Sequence, residues 1–168
     1  MELKIKRLSD EAIMPIRAYE GDAGIDLTAT RITQEINECG QLILVYHSDI
    51  AVEIPEGHVG LLFPRSSIAK KSLTFCNCVS VIDSGYRGEV TVKMRSTTDV
   101  VPAIYKPGER FAQLVIMPIP SYTISEATEL SETKRGEGGY GSSDEKLSAA
   151  QDNVEQAAGE VNAPEEAE

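Results

Sequence analysis

The chain has 168 residues, 41% of them hydrophobic, no tryptophan and a formal charge of −11. That length supports one domain with a substantial core, which must rest on Val, Ile and Leu. Eight acids against one base in residues 144–168 account for −7 of the charge and leave −4 on residues 1–143, so broad attraction to a nucleic-acid duplex is excluded, while a local cluster of Arg, Ser and backbone amides could still hold a small polyanion.

The N-terminal residues MELKIKRLSDEA contain no apolar signal-type segment, and no apolar run approaches membrane-spanning length. The reading is a cytoplasmic protein with neither a nucleic-acid nor a membrane partner. Cys39, Cys76 and Cys78 cannot all pair within one chain. Cys76 and Cys78 stand in an apolar run, where alternation puts both on one strand face. His47 and His58 are isolated in sequence, so the expectation is buried, reduced thiols rather than a metal site.

Taken in order, Leu3 and Ile5 alternate with lysines and predict a first strand. Gly21-Asp22-Ala23-Gly24 precedes Ile25-Asp26-Leu27, so a short strand presents Asp26 where backbones approach closely; a turn with a salt-bridged Asp26 reads equally well. Residues 31–54 read as more strand, with one apolar run at Leu42–Val45 and another alternating over Ile50–Ile54, and Val59–Phe63 predicts a further strand. After Pro64, the stretch Arg65-Ser66-Ser67-Ile68-Ala69-Lys70-Lys71 is compatible with a helix. A guanidinium, two hydroxyls and orphan N–H groups together suit phosphate; a capped surface helix with a solvated Arg65 is the plainer alternative.

Leu73–Val79 predicts a strand leading into Val79–Met94, which reads as a β-hairpin. Val79 and Val81 alternate on one arm, and Val90, Val92 and Met94 on the other. Between them lies Asp83-Ser84-Gly85-Tyr86-Arg87-Gly88, rich in turn formers. Locally, Asp83 reads more readily as an Asx-turn residue than as a catalyst. Val100–Ile104 is apolar, and Phe111–Ile116 is a strand interrupted by Gln113. Tyr122–Leu130 forms a weaker segment. Residues 134–143 surround Tyr140 with glycines, with Arg135 ahead and Ser142-Ser143 behind, which predicts a mobile arm. Nucleotide loops of the GxxxxGK[ST] and GxGxxG types are absent. Residues 144–168 are acidic and Ala-rich, with a thin apolar face, and read as disordered or a frayed helix. At least eight short strands predict an all-β sandwich or barrel.

Five stretches together resemble, in order, the five motifs of the homotrimeric dUTP diphosphatases: residues 22–27, 64–69, 81–88, 108–114 and 135–143. The resemblance covers residues 3–143. It implies a distorted jelly-roll over residues 1–130 and an arm over 131–143 that is exchanged between subunits; the acidic tail, 144–168, has no counterpart in the family motifs and could solvate or bind a protein partner. It implies three active sites at the interfaces of a homotrimer, and Mg²⁺-dependent hydrolysis of dUTP to dUMP and pyrophosphate. This would limit uracil in DNA and supply dUMP for thymidylate synthesis.

By that resemblance Asp83 activates the water that attacks the α-phosphate. Tyr86 packs on the deoxyribose and excludes a 2′-hydroxyl. The backbone of Val81, Ile82 and Asp83, with Asn77, reads the uracil edge, and Thr91 lines the pocket. Arg65, Ser66, Ser67 and Gln113 hold phosphates. Arg135, Gly141 and Ser142 join them from the arm, and Tyr140 stacks on uracil. Asp26 reaches Mg²⁺ through water or supports the site from beneath. Ser80, Gly85 and Asp144 depart from the usual pattern. A dCTP deaminase shares this fold, but it needs a further glutamate at the base and lacks the Arg-Gly-rich fifth motif.

Overall fold

The computed structural model describes residues 1–140. The chain divides into two units, Met1–Tyr122 and Thr123–Glu168. All strands among the described residues lie in the first unit. They are β1 Lys4–Arg7, β2 Gly24–Thr28, β3 Arg31–Ile36, β4 Leu42–Glu53, β5 His58–Pro64, β6 Leu73–Phe75, β7 Ser80–Ile82, β8 Glu89–Ser96 and β9 Arg110–Pro118. One antiparallel sheet runs β1-β4-β8-β6, with β3 also on β4; the other runs β2-β9-β5-β7. The architecture is all-β, a distorted jelly-roll.

Alternation drives the burial. Val90, Val92 and Met94 of β8 point into the core, as do Leu62 of β5 and Leu114 of β9. Tyr46 of β4 stacks on Phe111 of β9 at 5.4 Å between ring centroids and meets Tyr105 edge-on at 6.1 Å. These aromatics take the bulk that tryptophan would otherwise supply.

The two runs expected at Leu42–Val45 and Ile50–Ile54 are one twelve-residue strand, β4, with an irregular register between His47 and Ala51. The irregularity is a bulge. Asp49 takes φ +51 there, and its side chain holds it in place. Its carboxylate accepts from Ser9 Oγ at 3.0 Å and pairs with Arg31 at 3.3 Å, while its N–H donates to Glu89 Oε1 at 3.0 Å.

The Val79–Met94 hairpin is not formed. β7 pairs with β5, and β8 pairs with β4 and β6, so its two arms belong to different sheets. Period-2 alternation reports which side chains are buried, not which strand is the neighbour. Residues 83–88 are therefore a crossover from one sheet to the other. Leu73–Val79 is likewise not one strand: β6 ends at Phe75 and a turn follows. In that turn Val79 N–H donates to Asn77 O at 2.5 Å, and Cys78 takes φ +58. The turn lifts Cys76 and Cys78 out of the sheet. Both are exposed, as is Cys39, and all three are free; the expectation of buried thiols is corrected.

The helix after Pro64 is a five-residue 3-10 turn, Ser66–Lys70, without a side-chain cap. Val100–Ile104 and Tyr122–Leu130 form no strand. Val101, Tyr122, Ile124 and Leu130 are exposed, so their apolar character reflects no core contact within these units.

Candidate functional site

The central strand β9 builds the first half of the site. Gln113 on β9 is paired with Asp26 of β2 on one side and Phe63 of β5 on the other. This rung brings motif residues from three separate stretches of chain to one place. Asp26 accepts from Arg65 Nε at 2.7 Å through Oδ1 and from Arg110 Nη1 at 2.8 Å through Oδ2. Charge-assisted bonds of this length to a carboxylate that is mostly shielded from water fix the Arg65 fork beside Ser66. Gln113 Nε2 donates to Pro64 O at 3.0 Å, which pins the start of the Arg65–Ser67 loop. Its Oε1 lies against Gly24, where an added Cβ would come within 3.2 Å.

Asp22, Ala23, Gly24, Asp26, Arg65, Ser66 and Gln113 line one predominantly polar cavity of about 260 Å³, with Ala18 at its edge. A fixed guanidinium, a hydroxyl and an amide around a polar hollow form a phosphate-binding arrangement. Ser67 faces elsewhere: its Oγ lies 3.0 Å from the Tyr105 hydroxyl, so the hydroxyl anchors the loop to the core. Arg110 and Tyr105 were not among the expected site residues. Arg110 stands inside the fourth motif, a signal that could have marked it; Tyr105 lies outside every motif.

The second half is the crossover after β7. Asp83 is exposed, and among the described residues its carboxylate has no hydrogen-bond partner. Its carbonyl accepts from Tyr86 N–H at 3.0 Å, closing a turn. Tyr86 folds back over Gly88, where any Cβ would overlap the phenol, and its hydroxyl donates to Glu89 O at 2.9 Å. The ring is thereby held in one orientation and remains half-exposed. Arg87 Nη1 donates to the carbonyls of Ser84 and Tyr86 at 2.6 and 2.9 Å and stiffens the loop. Val81 is exposed on β7 and Ile82 is buried. Asn77 is exposed in the preceding turn, where its Oδ1 accepts from Ser80 Oγ at 3.2 Å. Ser80 is extended within β7 and needs no positive φ. Thr91 lies on β8 opposite His47, offset by one from the core-facing Val90 and Val92.

One chain does not unite the two halves. Ile82 is opposite Gly60 in the antiparallel β5–β7 pair, so Asp83 is level with Val59, six residues from Arg65. At about 3.3 Å per residue the separation along the sheet is roughly 20 Å.

The arm belongs to the second unit. Gly136 takes φ +54 and Tyr140 φ +46. Arg135 Nε donates to Gly138 O at 2.9 Å, and Gly138 N–H returns to Arg135 O at 3.2 Å. Tyr140 is fully exposed. Gly141, Ser142 and the acidic tail lie outside the described residues.

Among the described residues no three metal-ligating side chains cluster. Both Asp26 oxygens are engaged by guanidinium groups. This donor set is compatible with a metal carried by phosphate oxygens and water.

A jelly-roll with an arginine-lined polar cavity and an exposed acid at a strand end is an arrangement suited to an enzyme acting on phosphorylated small molecules. The chain belongs to the dUTPase family, whose profile matches residues 10–144. It is 42% identical over 147 residues to deoxyuridine 5'-triphosphate nucleotidohydrolase of Mycobacterium sp. (strain JLS), covering 84% of this chain and 94% of the relative. To the Clostridium kluyveri protein of the same name it is 39% identical over 143 residues, covering 84% and 97%. Among solved structures, a mutant of Staphylococcus bacteriophage 80alpha dUTPase with dUpNHpp superposes with a TM-score of 0.71 at 32% identity, covering 84% of this chain and 98% of that one. A mutant of the dUTPase from phage phi11 of S. aureus, described as coordinating a structural Mg(II) ion, gives 0.64 at 28% identity, covering 77% and 98%.

Proposed function

We propose that Asp83 is the general base of the reaction and that the site is completed between copies of the chain. As a member of the dUTPase family the chain hydrolyses dUTP to dUMP and pyrophosphate. The observation that carries the phosphate half is the Arg65 fork, held by Asp26 beside Ser66 and Gln113 in one polar cavity.

In this reading the triphosphate lies against Arg65 and Ser66, with Gln113 beside it. Mg²⁺, when bound, would supply charge neutralisation at the phosphates held by Arg65, Ser66 and Gln113, with Asp26 reaching it only indirectly. Asp83, aimed from the end of β7, takes a proton from a water in line with the α-phosphate. Tyr86 presents its ring to the deoxyribose. The backbone of Val81, Ile82 and Asp83, with Asn77, reads the edge of the base. Arg135 and Tyr140 are assigned to the phosphates and the uracil ring by the fifth motif. Three exposed free thiols suit the reducing cytoplasm.

The roughly 20 Å between Asp83 and Arg65 supports assembly. A second copy must bring its phosphate cavity to the first copy's Asp83, and a closed ring of three makes such contacts head to tail. The deciding experiment compares Asp83→Asn with the native protein. Pyrophosphate release should fall by about 10²–10⁴-fold while a non-hydrolysable dUTP analogue still binds. Turnover near the native rate would remove Asp83 from the mechanism.

A further inference from the structure

Ser66 lies exposed at the polar cavity, between two tethered neighbours. Upstream, Arg65 is bound to Asp26 at 2.7 Å, and Pro64 O accepts from Gln113 Nε2 at 3.0 Å. Downstream, the part-buried Ser67 meets Tyr105, with the two hydroxyl oxygens 3.0 Å apart. The five-residue 3-10 turn that carries Ser66 and Ser67 has no side-chain cap and no buried residue. So short a turn has little stability of its own, and its place is set by what it is tied to.

Tyr105 is a firm anchor. It is 1% exposed, and its ring meets Tyr46 edge-on, which in turn stacks on Phe111. The turn grips this ring twice. Ser67 holds the hydroxyl. Lys71, just past the turn, sets its Nζ 4.7 Å from the ring centroid and donates to Ile104 O at 3.0 Å. Either hydroxyl can be the donor between Ser67 and Tyr105, and the tie holds in both cases. A buried phenol needs a polar partner, and Ser67 supplies it.

We infer that Tyr105 is a positioning residue for the triphosphate: through the Ser67 hydroxyl it fixes the turn and so holds Ser66 beside the Arg65 fork. The Ser67 hydroxyl is then engaged by the core and does not touch phosphate. The inference rests on the reading of Arg65 and Ser66 as phosphate ligands. It concerns the placement of substrate, so its signature is in KM rather than in folding alone.

The test measures kcat, KM for dUTP and Tm for the native full-length protein and for Tyr105→Phe, Ser67→Ala, their double variant and Arg65→Ala. Tyr105→Phe keeps the ring and its packing and removes only the hydroxyl. It should raise KM by about two- to tenfold, the worth of one hydrogen bond, with little change in kcat. Ser67→Ala should raise KM by the same factor, and the double variant no further, because all three remove one contact. An unchanged KM in either single variant, whatever its Tm, overturns the inference. A rise in Ser67→Ala alone would show that the serine hydroxyl acts on phosphate directly. Rises that multiply in the double variant would make the two hydroxyls independent and also overturn it. Arg65→Ala tests the underlying reading separately: a KM that stays native there removes the phosphate site itself, whatever Tyr105 does.

Discussion

Asp26 and Arg65, 39 residues apart in the chain, are joined at 2.7 Å across the end of β9. The bond exists because β9 sits between β2 and β5 and sets Asp26, Gln113 and Phe63 on one rung. Arg65 lies two residues beyond that rung and reaches back to the carboxylate. Asp26 thus positions Arg65, and its second oxygen holds Arg110 in the same way.

Replacing Asp26 by Asn should therefore loosen two guanidinium groups at once. Hydrogen bonds to charged groups contribute about 1.5–3 kcal/mol each where they are shielded from water, and the Arg110 side of this pair is more exposed and worth less. The expected outcome is a rise in KM for dUTP of about tenfold or more, with a smaller effect on kcat, and a lower Tm. Steady-state kinetics and thermal unfolding measure both. An unchanged KM would show that Arg65 needs no anchor.

A site shared between copies predicts complementation. Asp83→Asn and Arg65→Ala proteins should each be nearly inactive. Unfolded together and refolded at equal ratio, they should regain activity in about a quarter of their sites, because each intact site takes one half from each kind of chain. Two separately inactive proteins that stay inactive after mixed refolding would confine the site to a single chain.

Tyr46 makes stability sensitive to alkali. Burial raises its phenol from the ordinary 10.0 to about 12, so the folded state holds the proton more tightly than the unfolded chain. The stabilisation is complete below pH 10 and is lost as pH climbs through 12. Tyr46→Phe should cost little at pH 7, because the bond to Tyr105 O is long at 3.5 Å. It should also flatten the loss of stability between pH 10 and 12. Denaturant unfolding at pH 7 and pH 11 compares the two proteins, and identical alkaline slopes would exclude Tyr46 as the source.

Gly60 lies where β5 passes under the core. An added Cβ would stand 2.6 Å from Ile54 Cδ1 and 3.0 Å from Leu114 Cδ1, both side chains fully buried. Gly60→Ala should destabilise by about 1–3 kcal/mol and lower the Tm by several degrees. It should also disturb β7, because the same Cβ would crowd Ile82. A protein as stable as the native one would mean that the core at Ile54 has room to shift.

Apolar alternation determined most of the strands by itself, because burial on a sheet has a period of two whatever the neighbour is. Motif order likewise marked Arg65, Ser66, Gln113, Asp26 and Asp83, because chemistry resides in residue types that a sequence displays directly. Pairing had to come from the tertiary structure. Only it parted Ser80–Ile82 from Glu89–Ser96 into separate sheets, and so turned the segment around Asp83 from a hairpin tip into a crossover. It also joined Leu42–Glu53 into one strand, turned Cys76 and Cys78 outward, and assigned Asp26 to two arginines. These outcomes depend on which backbone edges meet and on where a positive φ breaks the ladder, and both are settled between segments distant in the chain. The roughly 20 Å from Asp83 to Arg65 is of the same kind. It follows from the antiparallel register of β5 and β7, and no local pattern of side chains encodes that register.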